Sequence, residues 1–266
     1  MFFTGGTILL LLLIAGAILI LVFKPFSATA KSVKNESSSK SAVSPSSAKQ
    51  GSASSSAESS SSASSTSSSS SGSSEEKISA SASDWQLVLV NLKNPKPEMN
   101  PDLAVINNIY VDARIAQNVQ EFLSAAQTVN PYVHLISGYR SVAYQSDLFN
   151  GYIQQTMNEN PGWTEAEAKA LVMKTSQPPE SSEHETGLAI DMSAVDELDA
   201  EDTATADAIA AMAPDYGFIL RFPKWGTAST GIDYEDWHFR YVGAENAKYI
   251  TEHQLTLEDF VAQLSE

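Results

Sequence analysis

The chain has 266 residues, enough for one or two domains, and its 16 Lys and Arg face 32 Asp and Glu for a formal net charge of −16. A surface of that sign excludes nucleic acid and anionic lipid headgroups as electrostatic partners. The absence of cysteine excludes disulfides, thiolate metal ligands and a lipid anchor on a lipobox cysteine, while staying compatible with export.

Residues 2–23 are apolar almost throughout, with Ile8–Val22 the most hydrophobic part. About 20 such residues span a bilayer as a helix. Residues 1–30 are therefore expected to be a transmembrane anchor or a signal segment cut after Ala30, where Ala28-Thr29-Ala30 has the small-x-small pattern. The length of the run favours the anchor. Lys24, Lys31 and Lys34 follow the span and no Lys or Arg precedes it, a bias that on its own points the rest of the chain to the cytoplasm. Residues 31–83 are mostly Ser and Ala and bury too little to offset chain entropy. They read as a disordered linker with a mean reach on the order of 40 Å. Residues 1–83 hold six Lys against four Glu, so residues 84–266 carry a net −18. That part is long enough for one sizeable core.

Trp85–Val90 reads as a strand, broken by Asn94-Pro95-Lys96-Pro97. Residues 112–129 repeat Ile115, Val119, Phe122, Ala126 and Val129 at helical spacing, and Asn130-Pro131 ends the helix. Tyr132–Ser137 is a buried strand leading to Arg140, with His134 in a structural role. Ser141 caps a helix carrying Tyr144, Leu148, Tyr152 and Ile153. Thr164-Glu165-Ala166-Glu167 is a capping box opening a helix to about Lys174, and Pro178-Pro179 stops any continuation. Gly187 bends the chain into a short buried strand at Leu188-Ala189-Ile190. An Ala-rich helix at 203–213 ends at Pro214. Phe218–Phe222 is a strand, Trp225–Gly231 a loop and Trp237–Val242 a strand. Helices follow around 244–252 and 256–264, the second capped by Thr256, with His253 on the surface between them. Short strands interleaved with helices in no βα rhythm predict an α+β fold, a single domain with a mainly antiparallel sheet flanked by helices.

The chemistry gathers in three segments. Ser181–Asp191 places His184 and Asp191 seven positions apart around Gly187. Glu235-Asp236-Trp237-His238 adds a second His, three residues after a carboxylate. A His near an acid is common, but only four His exist here and two fall in these segments. Two His and one Asp around an open fourth position are how a catalytic zinc is held, with N and O donors at about 2.0–2.2 Å. Glu235 is then the spare carboxylate, placed to take a proton from the attacking water. Residues three apart share a side of a turned segment but not of an ideal strand, so a turn is expected at Tyr234–Asp236. Ser137-Gly138-Tyr139-Arg140-Ser141 supplies an Arg just after an apolar strand.

Taken together, Ser-Gly-Tyr-Arg-Ser (137–141), Ser-x-His-x-x-Gly-x-Ala-x-Asp (182–191) and Glu-x-Trp-His-x-Arg-Tyr-Val-Gly (235–243) resemble the VanY-type D-alanyl-D-alanine carboxypeptidases, zinc peptidases of peptidoglycan. The resemblance spans roughly residues 84–266 with the motifs in family order. Asp236 stands where many relatives carry Pro. The resemblance implies the fold shared by such D,D-peptidases and hedgehog signalling domains. It also implies one Zn²⁺ per chain, held by His184, Asp191 and His238, with Glu235 as base. The reaction it implies is removal of the terminal D-alanine from peptidoglycan stem peptides.

A carboxypeptidase needs a cation for the substrate carboxylate or the oxyanion, and the Arg140 fork suits that task. By resemblance, Ser182, Gln145 and Tyr152 match positions lining the substrate pocket of L,D-carboxypeptidase relatives, while the wider family favours D,D cleavage. Trp237 joins the substrate-binding set, packed beneath the ligands. The implied setting is the bacterial cell surface: a monomer, membrane-anchored with an extracellular catalytic domain, or secreted if cleaved. The alternatives are a non-catalytic module that binds wall peptide, and a peptidoglycan endopeptidase.

Overall fold

The sheet that carries the chemistry follows from two-residue alternation on adjacent strands. In the computed structural model, which describes residues 79–196 and 201–265, the first elements are β1 (Leu103–Ile106), β2 (Ile109–Asp112), α1 (Ala116–Val129) and β3 (His134–Ser137). Then come α2 (Val142–Glu159), α3 (Glu165–Val172), β4 (Ala189–Ser193), α4 (Thr203–Met212) and β5 (Phe218–Phe222). A short α5 (Thr227–Thr230), β6 (Glu235–Tyr241), α6 (Ala244–Glu252) and α7 (Leu257–Gln263) complete the order. β1 and β2 form a hairpin, and the main sheet has the order β3-β4-β6-β5 with every neighbour antiparallel. The α+β expectation holds.

One face of that sheet is apolar. Ile190 and Met192 of β4, Phe218 of β5 and Phe239 of β6 join Val119, Phe122, Leu123 and Ala126 of α1 in one core. The Phe122 ring lies 5.1 Å from Phe218, stacked, and 5.1 Å from Phe239, edge-on. Truncating such a ring costs about 3–5 kcal/mol. Since side chains alternate along a strand, the intervening residues Asp191, Arg221, His238 and Arg240 share the other face. That face is buried too: Arg221 and Arg240 are 1% and 0% exposed. Separate apolar clusters join α6 and α7 with Leu87 and Ile219, and α2 with α3.

The helix caps follow the sequence: Ser141 accepts from the Tyr144 amide, and Thr164 and Thr256 each form a capping box. Four details differ. Trp85–Val90 is not a strand; Trp85–Leu87 is a 3-10 turn, because the Gln86 and Val88 carbonyls accept from the Arg240 guanidinium instead of a neighbouring strand. The Trp225–Gly231 loop contains the single turn α5, closed by Gly231 at φ 77°. The expected turn at Tyr234–Asp236 is replaced by β6 itself, which begins at Glu235. The β1–β2 hairpin was not anticipated. The anchor or signal segment at 1–30 and linker residues 31–78 lie outside the described residues. Ala80, at the end of the linker stretch, packs on the α6–α7 cluster. Among the described residues no helix is long and apolar enough to cross a membrane.

Candidate metal centre

β4 and β6 bring two of the three candidate ligands together by register alone, since Asp191 pairs directly with His238. The third arrives on a buried 3-10 turn, Glu183–Thr186, which ends at Gly187 with φ 71°. The Gly187 carbonyl accepts from the Asp112 amide at 2.9 Å, and a Cβ at Gly187 would sit 2.8 Å from that nitrogen. Only glycine fits there. His184 Nδ1 lies 2.8 Å from the Gly138 carbonyl, so it donates and leaves Nε2 free to ligate.

His184 Nε2 is 3.3 Å from Asp191 Oδ2, and His238 Nδ1 is 3.2 Å from Asp191 Oδ1. One ligand atom from each of the three residues lies within 4.8 Å of the others, and all three side chains are buried. Asp191 Oδ1 is buried with no hydrogen-bond partner. Two imidazole nitrogens and one carboxylate oxygen gathered within 4.8 Å of one another fit Zn²⁺ and its preference for N and O donors.

Glu235 reaches the same spot through an irregularity in β6. Leu220 pairs with Phe239 but Phe222 pairs with Glu235, so β6 carries two extra residues in that interval. This bulge turns Glu235 onto the His238 side, with Oε2 3.7 Å from His238 Nδ1. Arg140 enters after a one-residue irregularity in β3. Its amide donates to the His184 carbonyl at 3.2 Å, and its Nη2 is 3.7 Å from Asp191 Oδ2. Arg140 Nε is buried and unbonded.

Burial dominates the electrostatics. It pushes the Glu235 carboxyl up to about 8, with the Asp191 and Glu183 charges adding to the effect and His238 and Arg140 opposing it. It pulls His184 down to about 4, helped by the Arg140 charge. For His238 burial is outweighed by Asp191 and Glu183, which raise it to about 9. For Asp191 burial is outweighed by the two imidazoles, which hold it well below the usual carboxylate range. At neutral pH His184 therefore offers a free lone pair, while His238 holds a proton that a metal must displace.

The remaining predicted residues fall as follows. Gln145 is buried, donates from Nε2 to the Gln177 carbonyl at 2.6 Å and leaves Oε1 unbonded. Tyr152 is half-buried and lies close enough to Arg140 and Asp191 for both charges to act on its phenol, which burial raises. Ser182 is buried at the start of the His184 turn. Trp237 is buried on β6 beside His238. His134 lies half-exposed against Asp196 and His253 stacks on Tyr249, both away from the centre.

Sequence reasoning missed Glu183, Arg221, Arg240 and Glu258. Glu183 Oε1 accepts from Arg221 Nε at 2.9 Å and Arg240 Nη1 at 2.8 Å, and Arg221 forks onto Glu258 at 2.9 and 2.6 Å. A lone Arg inside the apolar run Phe218–Phe222 was the signal available for this network.

A two-His, one-Asp centre with a free carboxylate and an arginine beside it, on a small antiparallel sheet, defines the metallopeptidase class. The VanY profile, described as D-alanyl-D-alanine carboxypeptidase, matches residues 108–244. A D-alanyl-D-alanine carboxypeptidase of Enterococcus faecalis is 33% identical over 180 residues, covering 67% of this chain and 66% of that protein. The bifunctional D-Ala-D-Ala dipeptidase and carboxypeptidase VanXYC of Enterococcus gallinarum is 32% identical, over 65% of this chain and 92% of that one. The structure of VanYB in complex with D-alanine-D-alanine superposes with a TM-score of 0.61 at 32% identity, covering 67% of this chain and 98% of that one. The L,D-carboxypeptidase DacB from Streptococcus pneumoniae superposes with a TM-score of 0.53 at 28% identity, covering 65% of this chain and 84% of that one. The chain belongs to the VanY D-alanyl-D-alanine carboxypeptidase family.

Proposed function

We propose that this chain is a zinc-dependent carboxypeptidase that removes the terminal D-alanine of peptidoglycan stem peptides, cutting a D,D or an L,D bond. The observation that carries this reading is the convergence of His184, Asp191 and His238 with the uncoordinated Glu235 carboxylate 3.7 Å from His238. Zinc held there would supply Lewis acidity, polarising the scissile carbonyl and acidifying water.

The chain's own residues do the rest. Glu235 takes the proton of the attacking water and passes it to the leaving amine. Its approach to His238 without joining the three-residue cluster leaves it free to carry that proton. Arg140 receives the terminal carboxylate of the substrate through its guanidinium fork, and its position beside Asp191 sets that carboxylate next to the reacting bond. Gln145, Tyr152 and Ser182 line the pocket around the terminal residue, and Trp237 backs the ligand strand. The complex of the VanYB relative with D-alanine-D-alanine supports the D,D option, and the DacB relative supports the L,D option.

The test is D-alanine release from a defined pentapeptide and a defined tetrapeptide, with and without a chelator. Release from one of them, abolished by chelation and restored by zinc, is expected. No release from either, or internal fragments in place of free D-alanine, contradicts the reading.

The same proposal places the enzyme at the bacterial surface as a monomer, anchored by residues 1–30, with residues 31–78 as a spacer toward the wall. The apolar run at 2–23 is its support. Recovery of the full chain in carbonate-washed membranes is expected; recovery only from the medium, cut after Ala30, would replace the anchor with a signal peptide.

A further inference from the structure

The His238 ring has two differently used nitrogens. Nδ1 faces Asp191 and Glu235, while Nε2 points the other way, 3.6 Å from Glu183 Oε2. Both Nε2 and Glu183 Oε2 are buried without a hydrogen-bond partner. Two orphaned atoms of opposite capacity facing each other need to close by only roughly half an ångström to reach hydrogen-bond length. Glu183 has no slack on its other side, since Oε1 is taken by both Arg221 and Arg240. Those arginines are anchored in turn: Arg221 on Glu258 of α7, and Arg240 on the Gln86 and Val88 carbonyls. The Phe222 ring, 5.0 Å from the His238 ring, packs against it.

We propose that Glu183 is a positioning residue: it holds His238 through Nε2–H and thereby assigns Nδ1 to the metal. The chain thus uses neighbouring residues for both histidines, His184 as a ligand and Glu183 as the support for the other ligand. A carboxylate behind an imidazole fixes its tautomer and raises its basicity, and losing such a partner costs typically 10–100-fold in metal affinity. This inference rests on the zinc reading above and refines it.

The test uses the full-length protein and zinc itself. In the zinc-loaded wild type, ¹⁵N-resolved NMR of the His238 ring is expected to show Nε2 protonated and Nδ1 metallated. In Glu183→Gln, chelator competition is expected to show zinc bound about 10-fold or more weakly, with a shifted visible spectrum for the cobalt-substituted protein. Glu258→Gln also breaks an arginine pairing but does not touch His238, and should leave zinc affinity within about twofold of wild type; an equal loss there would reduce Glu183 to a structural role. Unchanged affinity and spectrum in folded Glu183→Gln would overturn the proposal. So would a proton on His238 Nδ1 in the loaded wild type, a result that stands even if the variant does not fold. Failure of the wild type to bind zinc would instead remove the zinc reading.

Discussion

Glu235 and His238 lie three residues apart on one strand, yet their side chains meet, with Glu235 Oε2 3.7 Å from His238 Nδ1. An ideal strand would turn them to opposite faces. The two-residue bulge in β6 opposite Leu220–Phe222 makes the meeting possible, so the proposed base and a proposed metal ligand come from one rigid element. Sites built on strands hold their geometry better than sites on loops.

The base assignment predicts a separation of binding from chemistry. Glu235→Gln keeps volume and leaves the three ligands intact. Its zinc affinity should stay within a few-fold of wild type, while kcat falls by about 10²–10⁴. Parallel zinc titration and D-alanine release measure both; retained kcat removes Glu235 from its role.

Arg140→Lys keeps the charge but loses the fork. If Arg140 receives the terminal carboxylate, KM should rise on the order of tenfold or more with zinc affinity unchanged. Steady-state kinetics on the preferred stem peptide decide it, and an unchanged KM assigns Arg140 elsewhere.

Zinc binding should release protons. In the metal-free protein His238 titrates near 9 and is protonated at pH 7, whereas His184, near 4, is already neutral. Binding must expel the His238 proton, so affinity rises with pH up to about 9 and then levels. Calorimetry in buffers of different ionisation enthalpy should find at least about one proton released per zinc at pH 7; none released contradicts the assignment.

The buried ion network sets an acid limit. Burial alone would raise Glu183, but Arg221 and then Arg240 hold it well below the usual carboxylate range. A carboxylate depressed in the fold contributes stability that is present above its unfolded value and lost as pH falls. Asp191 has the same sign. His184, depressed to about 4, adds to the loss, because below about 6.5 the unfolded chain binds its proton first. Urea unfolding of the metal-free protein should therefore show stability falling steeply below about pH 4.3, and Glu183→Gln should flatten that limb. A wild type equally stable at pH 3 and pH 5 contradicts this.

Gly138→Ala tests the scaffold. A Cβ there would lie 2.3 Å from the Tyr110 carbonyl and 2.9 Å from the Ile109 side chain. The Gly138 carbonyl also accepts from His184, so the shift passes directly to a proposed ligand. The substitution should cost about 1–3 kcal/mol, read as a lower thermal midpoint, and weaken zinc binding. A neutral effect on both contradicts the packing described.

The cluster of His184, Asp191 and His238 was legible because the chain has only four His and two of them stand in acid-rich segments whose motifs run in family order. The bulge was not, since nothing local in Glu235–Tyr241 distinguishes it from a regular strand; the requirement that Glu235 and His238 share a side was read as a turn. Glu183 was hidden for another reason: its partners Arg221 and Arg240 lie 38 and 57 residues away and meet it only through strand order. The same network explains the misread segment at Trp85–Val90. Its strand propensity was overridden by tertiary demand, because two buried arginine N–H groups needed its carbonyls.

The most direct measurement is anomalous diffraction at the zinc edge on crystals of the zinc-loaded protein. One peak per chain is expected, bonded to His184 Nε2, Asp191 and His238 Nδ1 at about 2.0–2.2 Å, with Glu235 close by but not ligating. A peak elsewhere, or Glu235 on the metal in place of one of those three, would contradict it.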